Sequence, residues 1–144
     1  IIGTDLQTLY EHQCDTEACQ VADFQPRDRG AFLAHWAGIL SDARVIARAI
    51  ICEAELTGHI CSFDAHGRRE MGYWIGRPFW GRGIATAAVA QFLRVEPFRP
   101  LYAHIALYTI ASIRVLEKCG FTLSRKTENS LSNSREWYEA VRTD

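Results

Sequence analysis

The chain has 144 residues, 48% of them hydrophobic, with 16 basic and 17 acidic side chains and a formal net charge of −1. That is enough apolar material for one domain with a real core, so residues 1–144 are expected to form a single unit. The balanced charge leaves no electrostatic footprint for nucleic acid, no apolar run approaches the ~20 residues that span a bilayer, and no basic and apolar tandem marks a signal peptide.

Ile1 to Asp23 reads as mainly helical. Leu6, Leu9 and Tyr10 recur at helical spacing, Asp5 stands where a cap would, and Asp15-Thr16-Glu17-Ala18 opens a second short turn. Arg27 to Leu40 is a clearer helix, with Pro26 at its start and an apolar stripe of Phe32, Leu33, Trp36 and Leu40. Val45 to Cys52 and Leu56 to Phe63 are β-rich runs joined through Glu53-Ala54-Glu55, and Asp64 to Arg68 is a turn. Arg69 to Gly76 is a strand in which Met71, Tyr73 and Ile75 alternate with Gly72, Trp74 and Gly76. Arg77-Pro78 breaks its ladder, because proline has no N–H to give. Gly81 and Gly83 follow, and Ile84 to Val95 is an alanine-rich helix. Pro97 and Pro100 flank a break before a strand at Leu101 to Tyr108. Ser112 to Cys119 is a helix stopped by Gly120. Phe121 to Lys126 and Glu136 to Val141 are the last strands, with the polar run Thr127 to Arg135 as their turn. Helices, three antiparallel strands, helix, strand, helix and two strands predict a mixed α/β domain around one twisted sheet.

The stretch from Tyr73 to Ala90 organises the rest: strand, glycine loop, helix. A helix begins with N–H groups that have no partner inside it, and its dipole favours negative charge there. Glycines at the mouth let an anion approach closely, so this stretch reads as a seat for phosphate. The spacing from Gly76 to Gly81 nearly matches a P-loop, but Arg82-Gly83 lacks the lysine and the hydroxyl that holds magnesium. A dinucleotide fingerprint fails as well, because Thr86 stands where its third glycine would be. The five cysteines (Cys14, Cys19, Cys52, Cys61 and Cys119) form no CxxC pair and no Cys/His ligand spacing. They read as reduced thiols of a cytoplasmic protein, with no metal site expected.

Trp80-Gly81-Arg82-Gly83-Ile84-Ala85 resembles the pyrophosphate loop of the GNAT acyltransferases, with Gly83 and Ala85 matching and Trp80 in place of a polar first residue. Thr109 to Phe121 resembles the second cofactor-side motif of that family, N-x-A-S-x-R-V-L-E-K-x-G-F, departing only at Thr109. The resemblance covers roughly Arg44 to Val141 and is closest to the branch with the ribosomal-protein N-terminal acetyltransferases. It implies acetyl-coenzyme A as cosubstrate, no metal, and acetyl transfer to a primary amine by direct attack in a ternary complex. The acceptor it implies is a protein N-terminus or a small amine, and the protein a monomer or homodimer. The other readings open at this point are a non-catalytic acyl-coenzyme A sensor or partner-binding module and a nucleotide-binding regulatory domain that only mimics the loop.

The resemblance also implies a sheet splayed into a V beside the central strand, where the pantetheine arm lies. Backbone N–H groups at Trp74, Ile75 and Gly76 are the expected oxyanion donors. Gly81, Arg82, Gly83, Ile84, Ala85 and Thr86 are expected around the pyrophosphate, Thr109 and Ser112 also on the cofactor side, and Arg114 and Lys118 either as further phosphate contacts beside Arg82 or on a solvated face. Glu70 is the candidate base, or else a carboxylate paired with Arg68 or Arg69. Many members carry a tyrosine at the position of Leu116, which protonates the leaving sulfur. Leucine donates nothing, so Ser112, one turn earlier, is the candidate donor, or else a helix cap. Tyr73 either contacts substrate or packs. The early helices border the acceptor groove, which brings in His12, His35 and Trp36. Members usually begin with a strand, for which only Ile1-Ile2 is left here.

Overall fold

Short aspartates start two of the helices. In the computed structural model, which describes residues 1–130 and 133–144, the Asp15 carboxylate accepts the Ala18 N–H and the Asp28 carboxylate that of Ala31. These bonds satisfy orphan donors of α2 (Thr16–Ala22) and α3 (Arg29–Ser41). The first helix, α1 (Asp5–Gln13), has Thr4 at its N-cap rather than Asp5, whose carboxylate accepts the Ile2 N–H at 2.9 Å. Ile1 and Ile2 form no strand.

The sheet holds β1 (Ile46–Cys52), β2 (Glu55–Ala65), β3 (Arg68–Ile75), β4 (Leu101–Ala106), β5 (Thr122–Ser130) and β6 (Asn133–Arg142), in the order β1-β2-β3-β4-β6-β5. Every neighbour is antiparallel except β3 and β4. The helices α4 (Ile84–Phe92) and α5 (Ile110–Lys118) follow β3 and β4. This is the mixed α/β architecture expected, with boundaries that differ for physical reasons. His66 and Gly67 both have positive φ, 53° and 72°, which makes a two-residue primed turn, so β2 and β3 run deeper into Asp64–Arg68 than its polarity suggests. The expected turn at Thr127–Arg135 is mostly strand, with Thr127 opposite Glu136 and Glu128 opposite Arg135, and its middle, 131–132, lies outside the described residues. Ladder bonds are made by the backbone, so an exposed hairpin accepts polar side chains that read as a loop.

Alternation along β3 separates two faces. Met71, Tyr73 and Ile75 belong to the larger core, with Ile60, Ile84, Val89, Phe92, Leu101 and Leu116. On the opposite face Leu9, Phe32 and Trp36 of α1 and α3 pack with Ala47 and Leu56. The parallel contact between β3 and β4 is short: Arg69 pairs with Leu101 and Glu70 with Tyr102, and there the pairing ends. Beyond it the strands separate into the expected V.

A buried ion pair stands at the closed end of that V. The α4 helix ends at Phe92, not Val95, and the chain continues in turns, with the Glu96 N–H bonded to the Phe92 carbonyl at 2.9 Å. Glu96 is thereby aimed inward, its residue wholly buried. Its carboxylate accepts from Arg69 Nε at 3.0 Å, from the Phe98 N–H at 3.0 Å and from the Ser62 hydroxyl. Arg69 also donates to Ser62 Oγ at 3.0 Å and to the Arg44 carbonyl at 2.8 Å. Burial alone would raise the Glu96 carboxyl, but these donors outweigh it and hold its pKa below the usual carboxylate range.

Glu96→Gln strands the Arg69 charge and is expected to cost about 3 to 5 kcal/mol of stability at pH 7, measured by urea unfolding. A carboxylate with a depressed folded pKa contributes fully above its unfolded value and loses that contribution as pH falls through the folded one. The gap between wild type and variant therefore narrows in acid.

Candidate functional site

The register of β3 on β2 decides which peptide groups face the opening. The Gly76 N–H donates to the Thr57 carbonyl at 2.8 Å, and Trp74 and Ile75 stand opposite His59 and Gly58. Antiparallel pairing turns alternate peptides toward the partner strand, so the N–H groups of Trp74 and Gly76 point at β2. Those of Tyr73 and Ile75 point the other way, where β4 has already left the ladder. Of the three expected donors only Ile75 is free, a correction that follows from period-2 geometry. Gly58 allows the approach, since a Cβ there would lie 2.0 Å from the Trp74 carbonyl oxygen.

After β3 the chain makes a short 3₁₀ turn at Arg77–Phe79, and Trp80 Nε1 donates back to the Ile75 carbonyl at 2.9 Å. Gly81 and Gly83 then adopt φ of 74° and 73°, left-handed values that glycine takes without strain. Gly83 is the N-cap of α4 and has no side chain to occupy its donors. The first bond inside α4 is from the Ala87 N–H to the Gly83 carbonyl at 3.2 Å, so the N–H groups of Gly83, Ile84, Ala85 and Thr86 precede the helical ladder. Arg82 stands at the same mouth, paired with Glu53 at 3.2 Å.

A cavity of about 290 Å³ runs inward from this mouth. Tyr73, Trp74 and Ile75 form one wall, the loop and first turn of α4 from Gly81 to Thr86 the entrance, and Thr109, Ser112 and Val115 the opposite wall. Ala18, Val21 and Ala22 of α2 complete it. The helix α2 is tied to both sides, by Arg77 to Asp15 and Glu17 at 2.7 and 2.9 Å and by the Thr109 hydroxyl to the Val21 carbonyl at 2.9 Å. No local signal in the sequence marks α2 as a wall, because the Thr109 contact spans 88 residues. Val115, one turn from Ser112, was recoverable from helical spacing.

Ten of the thirteen expected cofactor-side residues line this one cavity. Gly76 does not: it is buried under the His12 ring, where a Cβ would lie 2.8 Å from two ring atoms. Arg114 is exposed and faces elsewhere, as does Lys118. Ser112 lines the cavity as the third residue of α5, whose N-cap is Thr109, so it does not cap the helix. The helix simply starts two residues earlier than expected. The Tyr73 hydroxyl is buried and makes no hydrogen bond. Burial raises its pKa, and the Ser112 hydroxyl works against that shift.

Glu70 lies on the other face of the sheet, at the closed end of the V between Phe63 and Tyr102. It is 7% exposed, with Arg68 at 3.7 Å and His66 at 4.0 Å, and its Oε1 is buried without a hydrogen-bond partner. Arg69, the other expected partner, is committed to Glu96. On the same face Trp36 is core, its ring 4.9 Å from that of His59 and edge-on to it. His35 is exposed, and His12 packs on Gly76 with Nδ1 buried and unpartnered. Burial lowers the pKa of His12 and that of His59, the latter to about 4, so neither ring adds positive charge to this face.

Among solved structures the chain is similar to the ribosomal L7/L12 alpha-N-protein acetyltransferase RimL in complex with coenzyme A, at 17% identity and a TM-score of 0.76 over 99% of this chain and 90% of that one. The aminoglycoside acetyltransferase AAC(6')-Ib in complex with coenzyme A and kanamycin matches at 17% identity and a TM-score of 0.75, over 99% and 92%. The microcin C7 self-immunity acetyltransferase MccE, in complex with acetyl-CoA and AMP, matches at 15% and 0.75, over 98% and 88%. No curated protein sequence matches. At these identities the structures speak for the fold alone. The family model for the acetyltransferase (GNAT) domain matches residues 2–122, and the chain belongs to the GNAT acetyltransferases.

Proposed function

We propose that the chain moves an acetyl group from acetyl-coenzyme A to a primary amine by direct attack in a ternary complex. One observation carries this reading: an apolar cavity joins a helix mouth rich in free N–H groups to the splay where β3 leaves β4. The chain's groups fit coenzyme A in that order. Gly83 to Thr86 offer N–H donors and a dipole to the pyrophosphate, and the narrow apolar walls suit the pantetheine arm. Acetyl-coenzyme A, when bound, supplies the activated thioester. The Ile75 N–H is placed to hold its carbonyl oxygen as charge develops there.

Glu70 takes the amine's proton from the α1–α3 face, directly or through water, and Ser112 donates a hydrogen bond to the departing sulfur from the α5 face. The acceptor is a protein N-terminus or a small amine, entering on the face that carries Glu70. The similar structures act on a ribosomal protein in one case and hold kanamycin in another, so both acceptor classes belong in the test. Terminal peptide amines, polyamines, amino acids and aminoglycosides are assayed with acetyl-coenzyme A by thiol release. Turnover with one class supports the reading, and binding of coenzyme A with no turnover on any of them makes the chain a sensor.

Gly83→Val tests the mouth. A β-branched residue resists a φ of 73° and crowds the donors, so the variant is expected to lose most of the stabilisation acetyl-coenzyme A gives the wild type, about 2.7 kcal/mol at 100 times its dissociation constant. A folded variant with an undiminished thermal shift puts the phosphates elsewhere.

Glu70→Gln tests the base. The variant is expected to be slow at neutral and lower pH and to recover as pH rises, because the amine then deprotonates unaided. A rate–pH profile distinguishes this from a uniform loss, which would mark Glu70 as structural.

A further inference from the structure

The Arg68 guanidinium stands between two carboxylates and binds only one of them. Its Nη1 donates to Glu139 Oε2 at 2.9 Å. Its Nη2 lies 3.7 Å from Glu70 Oε1, beyond the reach of a charge-assisted hydrogen bond, which closes to about 2.7 to 2.9 Å. Glu70 Oε1 is left buried with no hydrogen-bond partner. A guanidinium on a flexible stem is expected to close on such an oxygen, because leaving it unpaired is costly. Contacts on its other sides hold it back. Glu139, on β6 and 13% exposed in its side chain, takes the guanidinium away from Glu70. The Tyr102 ring, on β4, lies against it with the centroid 4.2 Å from Cζ. His104 Nε2, two residues further along β4, stands 3.5 Å from Nη2. The register explains the arrangement. Tyr102 pairs with Glu70 across the short parallel contact and His104 pairs with Glu139, so β4 lies between the two carboxylates.

We propose that Glu139 is a positioning residue for Glu70: it holds the Arg68 guanidinium short of the Glu70 carboxylate, so that Oε1 stays open to the proton of the acceptor amine. The inference rests on the reading of Glu70 as the base, and the test separates the two. A carboxylate paired closely with arginine gives its lone pairs to the guanidinium, and an incoming proton has to break that pair first. At 3.7 Å the guanidinium leaves the oxygen unoccupied. The amine's proton goes to Oε1 as its nitrogen lone pair forms the C–N bond, and the C–S electron pair leaves on sulfur. The other charged and titratable groups on this face are His66, 4.0 Å from Glu70 in the β2–β3 turn, and Lys126, 3.6 Å from Glu139 on β5. Phe63 of β2, opposite Glu70, brings no charge. Lys126 meets Oε1 of Glu139 while Arg68 takes Oε2, which fixes that carboxylate from both sides.

The first readout needs no acceptor. Glutamate is labelled with carbon-13 at its side-chain carboxyl, the Glu70 signal is assigned by its loss in Glu70→Gln, and its chemical shift is followed against pH. In Glu139→Gln the guanidinium is free to close on Glu70, and the midpoint of that titration is expected to fall by on the order of one unit from the wild-type midpoint. Removing a negative charge has a direct effect as well, so the same substitution is also made in an Arg68→Met chain. There it should move the midpoint far less, because no guanidinium is left to close. Equal movement in both backgrounds, or none in the first, overturns the role. The second readout is turnover with an amine that the wild type accepts. Glu139→Gln is expected to be slower at neutral pH by up to about tenfold, the most that one unit of basicity carries. Adding Arg68→Met should restore most of that rate, a rescue that damage to the fold would not give. If the titrations behave as expected while Glu139→Gln and Glu70→Gln both turn over like the wild type, Glu70 is not the base and the positioning role falls with that reading. If Glu139→Gln does not fold, Tyr102→Leu takes its place, removing the ring against the guanidinium while keeping Glu139. It should lower the midpoint when Arg68 is present and not in the Arg68→Met chain, and equal movement in the two again overturns the role.

Discussion

The parallel contact between β3 and β4 spans Arg69–Glu70 and Leu101–Tyr102 and then stops. Beside it the Arg69–Glu96–Ser62 network ties β2, β3 and the chain that leads from α4 toward β4 together. Its groups are buried and each is satisfied several times over, the condition under which a buried ion pair holds a geometry rather than weakening it. The closed end is therefore rigid and the open end is free to hold a ligand. The peptide groups β4 would have used are left facing the opening.

The sheet also divides the chemistry. Its α4–α5 face carries the cavity, Ser112 and Tyr73, and its α1–α3 face carries Glu70 and the neutral histidines. A proposed acceptor amine and a proposed leaving sulfur are thus served from opposite sides of one strand. Proton uptake on one face does not then compete with hydrogen bonding on the other. The helix α2 closes the arrangement, held by Arg77 at the loop and by Thr109 at α5. Thr109 does this where the family motif has an asparagine, which gives the one departure in that motif a visible role.

Much was determined by the sequence alone. The strand at Arg69–Gly76, the glycine loop and the helix after it depend on local rules, side-chain period, proline's missing N–H and glycine's free φ, while the expected cofactor-side residues came from the resemblance of two motifs. Those rules act between chain neighbours, so they are legible without a fold. Tertiary structure decided the rest. Which N–H of β3 faces the opening depends on the register with β2, and a shift of one residue would have reversed it. That Glu96 turns inward and that α2 is a wall both depend on contacts between distant segments. The extension of the β5–β6 hairpin into the polar run Thr127–Arg135 was missed for the same reason, since backbone pairing across a strand leaves no mark on the side chains that bear it.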